Sequence, residues 1–88
     1  MGMLETRIRK VPDGMTSNDV VKRIQLDLEE YFEQQDNSCE SYNVGLLREH
    51  NFDEIWEVQE TYKNTPEIKE KYFNLAKEGK LVYIEIDY

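Results

Sequence analysis

Polar and apolar positions alternate with period two at both ends of the chain, and with period three to four in between. In Met3–Val11, Leu4, Thr6 and Ile8 share one side, while Glu5, Arg7 and Arg9 share the other. This predicts a strand with its arginines facing solvent. Val-Pro-Asp-Gly then ends the strand with turn chemistry. Leu81–Tyr88 is the clearest strand of all: Val82, Ile84, Ile86 and Tyr88 alternate with Leu81, Tyr83, Glu85 and Asp87.

Three helical patterns lie between. The first runs from about Asn18 to Gln35, with Ser17 as the expected N-cap. Val20, Val21, Ile24, Leu28, Tyr31 and Phe32 fall in one arc of about 120° and form its core side. Leu26 is stranded among charges on the opposite side. The second begins after Asn51, where Glu54 three residues on completes a capping-box pattern, and runs to about Lys63. Its inner arc is Phe52, Ile55, Trp56, Val58, Gln59 and Tyr62. The third opens on Thr65-Pro66-Glu67, places Ile68, Tyr72, Leu75 and Ala76 in a stripe, pairs Glu67 with Lys71, and stops at Gly79. Phe73 lies off that stripe. Asp36–Ser41 reads as a loop, and Ser41–Leu47 as a strand or extended segment whose alternation is weakened by Gly45.

Residues 1–88 therefore form a single small domain of α+β class. Two terminal strands, with a possible third near 42–47, pair in a small sheet, and about three helices cover one face. The last strand is expected to offer an open edge, suited to a homodimer or a partner strand.

Charge changes this picture. Residues 1–25 carry five bases and three acids, net +2; residues 26–60 carry one base and eleven acids, net −10; residues 61–88 carry five of each. The whole excess of −8 thus sits in the middle third. Outward acids form two arcs: Asp27, Glu29, Glu30, Glu33 and Asp36 on the first helix, and Asp53, Glu54, Glu57 and Glu60 on the second. The first arc also runs against its helix dipole, since Lys22 and Arg23 sit toward the N-terminal end and the glutamates toward the C-terminal end. A local rule broken without visible gain points to function. If the arcs lie side by side, they make a broad negative field that steers basic partners.

The leading expectation is a non-enzymatic protein-binding module or inhibitor. Those nine acids would dock on a basic protein surface, for example that of a nucleic-acid-binding protein, with Leu26 and Phe73 as apolar anchors. The profile resembles that of small acidic accessory proteins and inhibitors, including phage-encoded ones that occupy nucleic-acid sites on host enzymes. An alternative is a nucleic-acid-associated regulator using Arg7, Arg9, Lys10, Lys22 and Arg23, which the total charge disfavours. A third reading is metal or catalytic chemistry at His50, Glu54 and Glu57, spaced i, i+4, i+7; the Asn51 cap would leave His50 outside the helix, and no second His completes a site.

No Gly-rich phosphate loop, calcium loop or paired-cysteine site is written in the chain, so no cofactor is expected. The lone Cys39 fits a reducing, cytoplasmic setting. No stretch reads as a signal or a membrane span. Gly2 and Thr6 match a myristoylation pattern, read here as chance.

Overall fold

The clearest strand of the sequence lies in the middle of the sheet, not at its edge. The computed structural model describes residues 4–34 and 41–87. The elements are β1 (Leu4–Lys10), α1 (Ser17–Gln34), β2 (Ser41–Leu47), α2 (Phe52–Val58), α3 (Pro66–Lys77) and β3 (Leu81–Asp87). The three strands form one antiparallel sheet in the order β1-β3-β2. The α+β class is as the pattern predicts, and Ser41–Leu47 is the third strand. The expected open edge of the last strand is absent, because β3 is paired on both sides.

The helices divide between the two faces of the sheet instead of sharing one. Register places Ile8 opposite Tyr83, and Lys10 and Leu47 both opposite Leu81, so these residues share a face. On it Ile8, Leu47 and Leu81 cluster with Phe52, Ile55 and Trp56 of α2 and Tyr72 and Ala76 of α3. The other face carries Val44, Val82 and Ile84, all buried, along with Val20 of α1. There Phe32 of α1 stacks on Tyr42 at 6.1 Å. A strand covered on both sides must be apolar on both, and Leu81 and Val82 are each wholly buried.

Helix ends correct several sequence expectations. Thr16, not Ser17, caps α1: its Oγ1 accepts from the Asp19 N–H at 3.1 Å. Ser17 is the first helical residue and is buried. Asn51 makes no side-chain cap on α2. Its Oδ1 instead accepts from the Arg48 N–H at 2.8 Å, and its Nδ2 donates to the Leu46 carbonyl at 3.1 Å, tying the end of β2 to the start of α2. Thr65 caps α3 as its sequence suggests, accepting from the Ile68 N–H.

The second helix stops at Val58 rather than near Lys63. The buried Gln59 turns the chain there. Its Oε1 accepts from the Thr61 and Tyr62 N–H groups at 2.8 Å each, and its Nε2 donates to the Tyr62 carbonyl at 2.7 Å. The segment so held runs along the free edge of β1. The Glu60 N–H donates to the Thr6 carbonyl, and the Ile8 N–H donates to Thr61 Oγ1, both at 2.9 Å. The middle of that edge is thus covered by the protein's own loop.

Candidate functional site

α1 lays one side on the sheet and turns the other to solvent. The outward side carries Leu26, Asp27, Glu29, Glu30 and Glu33, all exposed, as the periodicity places them. Leu26 is 62% exposed and has Glu29 and Glu30 as its i+3 and i+4 neighbours. Arg23 reaches Asp27 at 3.8 Å, the only ion pair involving α1 among the described residues. The last turn of the helix holds no base. Asp36 lies outside the described residues.

Tyr31 departs from the sequence reading. Its apolar-arc position suggests core, yet it is 53% exposed, with its ring set edge-on to Phe32 at 5.0 Å. Tyr31 lies four residues beyond Asp27, at the margin between the outer side of α1 and the side laid on the sheet, about 140° around the helix from Leu26. Periodicity places Tyr31 near one margin of the apolar arc, where cover is least.

The second acidic arc does not join the first. Asp53, Glu54 and Glu57 are exposed on α2, and Glu60 lies on the loop beside β1. Those on α2 belong to the opposite face of the sheet, because the chain changes faces through β2 between the two helices, and Glu60 lies at the edge of β1. Two of them are also locally balanced: Lys69 of α3 sits 3.5 Å from Asp53 and 3.8 Å from Glu57. Phe73, placed off its stripe by sequence, is partly buried against Phe52 at 5.2 Å, so it is a core residue with one exposed margin. That margin lines a hollow of about 400 Å³ with Asp53, Pro66, Lys69 and Glu70.

The bases of the N-terminal third are divided as well. Arg7 and Arg9 face the α1 side, where they wall a groove of about 280 Å³ floored by Ile24, Leu28, Ile84 and Ile86. Arg7 is paired with Glu5. Lys10 points to the other face, with its Nζ 5.3 Å from the centre of the Tyr72 ring. Lys22 and Arg23 ride on α1. The five do not form one patch.

His50 sits in the turn before α2, outside the helix. Among the described residues no three His, Cys, Asp or Glu side chains are grouped to hold a metal ion. No helix among them is long and apolar enough to cross a membrane. Comparison with protein-family models, with curated proteins and with solved structures gives no match.

Proposed function

We propose that the protein is a non-enzymatic binding module that docks the outer side of α1 on a basic protein surface, of the kind that otherwise holds nucleic acid. Asp27, Glu29, Glu30 and Glu33 supply the charge, and Leu26 the apolar anchor. The observation that carries this reading is the exposure of Leu26 in the middle of α1, with Asp27, Glu29 and Glu30 beside it on a helix whose last turn holds no base. Charge alone steers encounter, whereas a desolvated apolar anchor gives residence. The acids of α2 are not part of this surface, since they face the other way and two of them share Lys69.

Homodimerisation through a strand edge is the lesser reading. The edge of β1 is occupied by Glu60 and Thr61, which leaves only β2 for it.

The test is affinity capture from native cell extract, eluted along a salt gradient. The triple variant Glu29→Lys, Glu30→Lys, Glu33→Lys is expected to lose the salt-sensitive partner, and Leu26→Ala to weaken its retention. The variant Glu54→Lys, Glu57→Lys, on α2 at the opposite face, is expected to retain the partner. Unchanged capture by the α1 triple variant overturns the reading.

A further inference from the structure

We propose a second site, on the sheet face that α1 leaves partly bare: the groove between β1 and α1 binds a medium-chain aliphatic carboxylate. The groove exists because one helix is too narrow for three strands. α1 lies over β2 and β3, and a helix about 10 Å across covers about two strands set about 4.8 Å apart. On this face β1 therefore offers Glu5, Arg7 and Arg9 beside the flank of α1.

The floor of the groove is apolar and incompletely closed. Ile84 is buried, whereas Ile24, Leu28 and Ile86 are only half-buried. Register gives the groove a long axis, since Arg9, Arg7 and Glu5 stand opposite Val82, Ile84 and Ile86 in turn. From Arg9 to Glu5 is about 13 Å at about 3.4 Å per residue. α1 starts beyond the end of β1 and finishes where Phe32 meets Tyr42, at the start of β2. β1 and β2 both start beside Asp87, so α1 runs back along β1. Ile24 thus lies toward the Arg9 end and Leu28 toward the Glu5 end. Tyr31, exposed and one turn beyond Asp27, continues the α1 wall past Leu28.

The charges around this floor leave one over. Glu5 is paired with Arg7, and Asp27 with Arg23 at 3.8 Å. Arg9 is exposed, lines the groove, and makes no ion pair among the described residues. The result is a single guanidinium at one end of an apolar slot, in a chain of net charge −8.

The field of such a chain repels anions in general, so an anion is held only where a local cation and apolar burial together outweigh it. One leftover positive charge with an apolar floor beyond it is the complement of one carboxylate with an aliphatic tail. The guanidinium fork takes the carboxylate oxygens, and the tail covers Ile24, Leu28, Ile84 and Ile86. A cationic amphiphile would set its head against Arg9, and a short carboxylate would leave the floor wet. The site shares only Asp27 with the proposed docking surface.

The experiment is calorimetric titration with hexanoate, octanoate and decanoate, each below its micellar range, at physiological ionic strength. Saturable one-to-one binding is expected, tightening by about two- to fourfold per added methylene, the upper figure being that of full burial. Decylammonium is expected to bind at least about tenfold more weakly than decanoate. Arg9→Gln is expected to weaken decanoate by about fivefold or more. Methyl NMR spectra locate the ligand, with shifts expected at Ile24, Leu28, Ile84 and Ile86. Absence of saturation, affinity independent of chain length, equal binding of decylammonium, unchanged affinity in Arg9→Gln, or methyl shifts only elsewhere overturns the proposal. Reversal of Glu29, Glu30 and Glu33 leaves the chain-length dependence unchanged, so failure here is separate from failure of partner docking.

Discussion

Gln59 joins three parts of the molecule through one amide. Its three hydrogen bonds set the turn that ends α2, and that turn delivers Glu60 and Thr61 to the edge of β1. Gln59→Ala leaves three part-buried backbone groups without these partners and opens a gap where the side chain was buried, at a cost of about 2–4 kcal/mol, read from urea unfolding. Gln59→Glu keeps the acceptor for Thr61 and Tyr62 but sets a carboxylate oxygen against the Tyr62 carbonyl, and is expected to be destabilising too.

Tyr62, which the same turn places, stacks on Tyr72 with ring centres 4.1 Å apart. Burial, then the hydrogen bond with Tyr72, then the charge interaction with Tyr72, push its phenol from 10.0 up to about 12. The fold therefore holds the Tyr62 proton more tightly than the unfolded chain does. The stability tied to it is fully present below pH 10 and is lost as the pH rises through about 12. Denaturant titrations across that window are expected to show a decline that Tyr62→Phe flattens.

At the scale of elements, α1 carries its charges at a cost. Glu30 and Glu33 lie toward its negative end, and Glu29 repels Glu33 at i,i+4. Glu30→Lys and Glu33→Lys are each expected to stabilise the free protein by about 0.3–1 kcal/mol at low salt, seen as a raised melting temperature. The gain should fade with added salt.

The helices and strands of this chain are legible in its periodicity because each buries one side. α3 is read nearly to its ends, since Thr65, Pro66 and Gly79 mark them with local chemistry. α2 is overrun because Val58, Gln59 and Tyr62 continue a helical spacing that the structure satisfies otherwise: Gln59 is buried as a turn former and Val58 is exposed. The division of helices between two faces was open to reading in β3, where apolar residues at consecutive positions from Leu81 mark a strand covered on both sides. The separation of the two acidic arcs follows from that division. The grouping of Arg9 with Ile24 and Ile86 does not show in the sequence, because it joins residues from β1, α1 and β3.

For the molecule as a whole, the order of the sheet has a consequence in time. β3 is the strand on which both others depend, and it is the last of the six elements to leave the ribosome. Until Leu81–Asp87 is synthesised, β1 and β2 have no strand between them, and neither helical layer has its floor. Helices α1 and α3 can form transiently on their own, but their apolar sides stay wet. The nascent chain thus remains soft, and open to proteolysis or chaperone capture, until β3 threads between two strands that were made before it.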